Sequence, residues 1–153
     1  MDYKKAMDII KEFEGCELKA YLDGGGVWTI GYGSTGPDII EGLVWTQEQA
    51  EEGLVNYFNE MVEDIRDAVK FPDLLSENML CAICSLVYNI GIGNSKKGFR
   101  SSTLLRKLNL LSPLVTDDFT DVADEFLRWD KDNGKVEKGL TKRRKLEREL
   151  FLS

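Results

Sequence analysis

Two carboxyl groups and one hydroxyl fall within a short stretch near the start of the chain: Glu14, Asp23 and Thr29, separated by nine and six positions. Around them runs Glu14-Gly15-Cys16-Glu17-Leu18-Lys19-Ala20-Tyr21-Leu22-Asp23-Gly24-Gly25-Gly26-Val27-Trp28-Thr29-Ile30-Gly31-Tyr32-Gly33. Glycoside hydrolysis needs one carboxyl that keeps its proton and one that stays ionised. Taken singly, each residue has a plainer reading. Glu14 is a solvated helix-end carboxylate, Asp23 a turn former beside glycine, and Thr29 an ordinary strand residue.

The elements that must position this trio follow from local pattern. Tyr3, Ala6, Met7, Ile10 and Phe13 recur at helical spacing. Gly15 is the expected stop, which puts Glu14 in the last turn. The free carbonyls there carry partial negative charge, so a carboxyl at that place is expected to hold its proton more tightly. Beyond it, β-forming residues flank the glycine cluster at 24–26, the signature of a hairpin with Asp23 at its turn. Asp23 is expected to be better solvated and ionised.

The remainder reads as helical. Thr46 and Gln49 form a capping box before a long helix that ends near Phe71-Pro72. Ser76 opens a helix that is apolar nearly all round and ends at Gly91, as expected of a bundle centre. Ser101 or Ser102 caps a shorter helix through Leu108. Another helix is expected from about Phe119 to Trp129, led by Thr116-Asp117-Asp118. Asn133-Gly134 is a turn, and Thr141 is expected to cap the last helix. The sum is an α+β protein of one domain: a small front lobe at about 15–58, and a helical lobe made of about 1–14 and 59–153, joined by the long helix.

Composition narrows the chemistry. The 153 residues include no histidine, which removes Ser-His-Asp and Cys-His catalysis and the common zinc sites. Cys81 and Cys84 form a Cys-x-x-Cys pair inside an apolar helical run, with no second pair, and read as core thiols. With Cys16 the count is odd, and three free thiols are expected. No segment approaches a membrane helix in apolar length, and the first residues do not resemble a signal peptide. The formal net charge of -7 argues against nonspecific nucleic-acid binding. Charge is uneven, however: residues 128–153 hold nine Lys or Arg against five Asp or Glu. That run reads as the solvated face of a terminal helix, or as a surface for an acidic polymer.

The Glu, Asp, Thr spacing resembles that of the phage-type lysozymes, the endolysins of tailed phages. So do Leu18-Lys19-Ala20-Tyr21, Thr29-Ile30-Gly31-Tyr32-Gly33, Tyr88-Asn89-Ile90-Gly91, Gly98-Phe99 and Ser101-Ser102-Thr103-Leu104-Leu105. Arg128-Trp129 and Gly139-Leu140-Thr141-Lys142-Arg143-Arg144 complete the match, in order along the whole chain. The resemblance implies a lysozyme-like fold and hydrolysis of the β-1,4 bond between N-acetylmuramic acid and N-acetylglucosamine in peptidoglycan. Glu14 would be the general acid, and Asp23 with Thr29 would activate water, with inversion at the anomeric carbon. Tyr88, Asn89 and Ser102 would line the sugar cleft. One residue of Lys142-Arg143-Arg144, represented by Arg143, would pair with Glu14. Neither metal nor cofactor is expected. The enzyme would act as a monomer without stable membrane association, kept in the host cytoplasm until a holin-type pore releases it. Ser34 departs from the pattern, because many relatives carry histidine after Gly-Tyr-Gly. The acidic net charge departs too, since relatives are often basic. The competing readings are a lytic transglycosylase and a non-catalytic peptidoglycan-binding module.

Overall fold

The computed structural model describes residues 1–114 and 118–153. Thr116 and Asp117, the expected lead into the penultimate helix, lie outside these. Helix α1 spans Lys4–Phe13 and runs into an antiparallel hairpin of β1, Glu17–Leu22, and β2, Trp28–Gly31. Tyr21 faces Thr29 and Leu22 faces Trp28, with an irregularity in the ladder between Glu17 and Tyr21. Helix α2, Gln47–Ala68, crosses the molecule, and α3, Glu77–Ile90, lies at the centre. Then come α4, Thr103–Leu110, and α5, Thr120–Asp124. A short hairpin of β3, Lys131–Asp132, and β4, Lys135–Val136, leads into α6, Lys138–Leu152.

Local chemistry accounts for most boundaries. Thr46 Oγ1 accepts from the Gln49 backbone N–H, and the Gln49 side chain accepts from Thr46 N, so the capping box forms as expected. The hydroxyls of Ser76 and Ser102 cap α3 and α4 singly, accepting from Met79 N–H and Leu105 N–H. Asn133 and Gly134 both take positive φ and turn the β3–β4 hairpin.

Three boundaries differ from expectation. Glu14, not a glycine, ends α1. Its N–H still reaches Ile10 O at 2.8 Å, but its own φ and ψ are extended, so the carboxyl departs from the helix instead of lying in its last turn. The expected helix at 119–129 is α5 followed by a 3-10 turn at Glu125–Arg128. Thr141 does not cap α6. Glu137 occupies the N-cap position, and the Thr141 hydroxyl donates back to its carbonyl from inside the first turn.

Two apolar clusters form among the described residues. The larger surrounds α3, whose residues 79–87 are all buried, and takes side chains from α1, α2, α4, α5 and α6. The smaller holds Ala20, Ile30 and Ile39 beneath the β1–β2 hairpin. Trp45 packs against both.

Candidate active site

A cleft of about 800 Å³ opens between the hairpin end and the helices, lined by Glu14, Tyr32, Trp45, Tyr57, Tyr88 and Asn89 among others. A second cavity of about 500 Å³ adjoins it and shares Glu14, Tyr32, Gly33 and Tyr88. Glu14 therefore stands where the two meet. Its position follows from the extended backbone that closes α1, and its side chain remains about one-third exposed.

The side chain that holds Glu14 comes from the far end of the sequence. Arg143 is 2 % exposed, and each nitrogen of its guanidinium has a partner. Nη1 donates to Glu14 Oε1 at 2.8 Å, Nη2 to Ser85 O at 2.9 Å, and Nε to Glu147 Oε1 at 3.1 Å. A planar fork with fixed donors suits three acceptors in three directions. The bond from Nη1 to Glu14 is thus one of three that fix the guanidinium in place.

The floor of the cleft is tied by Tyr88, whose hydroxyl donates to the carbonyl of Tyr32. Burial pushes the Tyr88 phenol well up, and nearby Glu14 adds to this. The ring meets Tyr57 edge-on, with centroids 5.8 Å apart. Tyr57 is 46 % exposed, so the long helix presents it to the cleft rather than to the core, where helical spacing alone would put it. Asn89 accepts from Arg144 Nη2 at 2.5 Å.

The sequence-predicted residues divide into three groups. Glu14, Tyr88, Asn89 and Arg143 come together at the cleft. Asp23 and Thr29 stand at the hairpin and line neither cavity beside Glu14. Asp23 Oδ1 accepts from Gly25 N at 2.8 Å and Val27 N at 2.9 Å, which folds the turn around it. Thr29 is buried, and its hydroxyl donates to Val27 O at 2.9 Å. Ser102 is also buried. Its hydroxyl accepts from Leu105 N and donates to Phe99 O, and it borders a separate hollow with Arg100 and Arg106.

The basic run at the C-terminus is not wholly a solvated face. Arg143 and Arg144 are buried, with Glu147 between them at 0 % exposure. Glu147 lies four residues after Arg143 and three after Arg144, on the side of α6 that carries Phe151. That spacing is the signal that could have revealed the cluster in the sequence.

Residues 11–147 match the family described as Phage lysozyme. The endolysin of Acyrthosiphon pisum secondary endosymbiont phage 1 is 41% identical, over 98% of this chain and 97% of that protein. The endolysin of Bacillus phage B103 is 38% identical over 96% of this chain, which spans about half (52%) of that longer protein. A crystal structure of a mutant P22 lysozyme superposes with a TM-score of 0.78 at 37% identity, covering 97% of this chain and 95% of that one. With this identity carried across nearly the whole chain, and with the lysozyme-like fold, the chain belongs to the phage lysozyme family and is an enzyme of the lysozyme class.

Proposed function

We propose that this enzyme hydrolyses the β-1,4 bond between N-acetylmuramic acid and N-acetylglucosamine in bacterial peptidoglycan, with Glu14 as general acid. The observation that carries the reading is the Glu14 carboxyl, held at the junction of two open cavities by a buried guanidinium. A glycan laid through the cleft would bring its bridging oxygen to that carboxyl. Glu14 gives its proton to the leaving oxygen as the C1–O bond breaks. A water attacks C1 from the opposite face with inversion and gives its proton to Asp23, with Thr29 helping to hold the water. The parts given to Asp23 and Thr29 rest on their spacing from Glu14. Tyr88 and Asn89 would contact the sugars, with Tyr57 at the mouth, and Arg143 supports the acid. The enzyme would accumulate in the host cytoplasm as a monomer and reach the wall through a holin-type pore. No helix among the described residues is long and apolar enough to cross a membrane.

One observation favours a second reading. Asp23 and Thr29 lie outside the cavities that Glu14 lines. A lytic transglycosylase needs the acid but no activated water, since the muramic 6-hydroxyl attacks its own C1. Digestion of purified peptidoglycan separates the two. A free reducing end on fresh product supports hydrolysis, and a 1,6-anhydro end supports the second reading.

A further inference from the structure

Four charged side chains of alternating sign run in a row: Glu14, Arg143, Glu147 and Arg144. Both ends return to the cleft, one through Glu14 itself and the other through the bond from Arg144 to Asn89. Glu147 is the inner carboxylate. Its Oε1 accepts from Ser85 Oγ at 2.6 Å and from Arg143 Nε at 3.1 Å. Its Oε2 lies 2.9 Å from Arg144 Nη1 without the alignment of a hydrogen bond, so charge alone joins that pair. Burial pushes the Glu147 carboxyl up, against the pull of both guanidiniums and the Ser85 hydroxyl. Burial likewise lowers Arg144 to about 10, against the pull of Glu147. With two cations beside it, ionised Glu147 leaves one positive charge fewer uncompensated in the core than the neutral acid would.

Such a cluster is a poor way to gain stability, because well-packed apolar side chains of similar volume generally do as well or better. Its value lies in what it orients. We propose that Glu147 is a positioning residue, which aims the Arg143 guanidinium at Glu14 from within the core and offsets the positive charge that the acid faces. This rests on the reading of Glu14 as general acid. The groups facing Glu147 are Arg143 and Arg144 from its own helix and Ser85 from α3, with Glu14 beyond Arg143 at the end of α1 and the Tyr88 phenol near both Glu14 and Arg143. Two other charges of α6 are engaged elsewhere: Lys142 with Glu12 at 2.6 Å and Arg148 with Asp124 at 2.8 Å.

The direction of the effect follows. In Glu147→Gln the row gains one net positive charge, the carboxylate form of Glu14 is favoured, and the acid loses its proton at lower pH. The test is kcat and KM against pH on soluble, uncross-linked glycan strands, for the wild type, Glu147→Gln, Glu147→Asp, Ser85→Ala and Glu14→Gln. The alkaline limb of kcat should move to lower pH by about one unit in Glu147→Gln, roughly tenfold in rate on that limb, with KM little changed. Glu147→Asp should return the limb toward the wild-type position. Ser85→Ala keeps every charge and provides the reading if Glu147→Gln does not fold. It should shift the limb the same way by a smaller amount. A folded Glu147→Gln, or failing that Ser85→Ala, with a lowered Tm but the wild-type limb would overturn the proposal. Activity in Glu14→Gln would instead remove the acid assignment beneath it, and the proposal with it.

Discussion

Arg143 Nη1 sits 2.8 Å from Glu14 Oε1, joining two residues 129 positions apart in sequence. The contact pins the closing residue of α1 to the last helix and presents one carboxyl to the cleft. Glu14→Gln keeps the shape and the hydrogen-bond acceptor but not the transferable proton. It should lower turnover by about 10²–10⁴-fold, the usual contribution of a general acid, with thermal unfolding close to wild type. Assay of wall digestion beside a melting curve checks both halves.

Arg143→Lys keeps the charge but cannot serve three acceptors in three directions. Glu147 and the Ser85 carbonyl would lose donors in a buried place. A loss of about 1–3 kcal/mol for each group left unsatisfied is expected in urea unfolding, with reduced activity.

The bond from the Tyr88 hydroxyl to the Tyr32 carbonyl links α3 to the residue just past β2. Tyr88→Phe would leave that carbonyl without this donor and should cost about 1–3 kcal/mol. Because both residues line the cleft, KM should rise with the loss.

Burial pushes up the Cys84 thiol, the Cys81 thiol and the Tyr88 phenol, whose ordinary values are 9.0, 9.0 and 10.0. Groups raised in the fold contribute stability that is complete below their unfolded values and is lost as pH climbs toward the folded ones. Unfolding free energy should therefore fall from about pH 9 upward, by about 1.4 kcal/mol per pH unit for each such group above its own unfolded value, and the Tm with it. Cys84→Ala should flatten that decline. A thiol reagent should label partly exposed Cys16 in the native protein, and buried Cys81 and Cys84 only after unfolding.

Gly93 takes φ +67°, and a Cβ there would lie 1.9 Å from the Lys97 carbonyl oxygen. Gly93→Ala should cost about 1–3 kcal/mol in backbone strain and a similar amount in overlap. The midpoint of denaturant unfolding measures it.

Where the chain's own periodicity or capping chemistry decides structure, the sequence was readable. Thr46, Ser76 and Ser102 start helices because their hydroxyls meet backbone N–H groups three residues on. The core helix around Cys81 and Cys84 and the turn at Asn133-Gly134 are visible for similarly local reasons. What stayed hidden depends on contacts distant in sequence. Glu14 looked like part of a helix because nothing nearby shows that the backbone turns extended there, although the family resemblance pointed to Arg143 as its partner. Arg144 and Glu147 looked like members of a solvated basic face because their partners, Asn89 for Arg144 and the Ser85 hydroxyl for Glu147, lie some sixty positions away. Thr141 was mistaken for a cap because Glu137 supplies the turn before it. The placement of Ser102 beside a separate hollow follows from how α4 packs, which its sequence motif does not encode.

Among the described residues the hairpin stands over a small cluster of three buried apolar residues, Ala20, Ile30 and Ile39, whereas the helices share the large cluster around α3. Local opening there disrupts little else, so its amides should exchange with deuterium well before those of α3. Glu14 and Arg143, anchored on the helical side, would keep their arrangement while the wall above them breathes. Selection can therefore rewrite the residues that meet incoming glycans at modest cost to the scaffold that carries the acid.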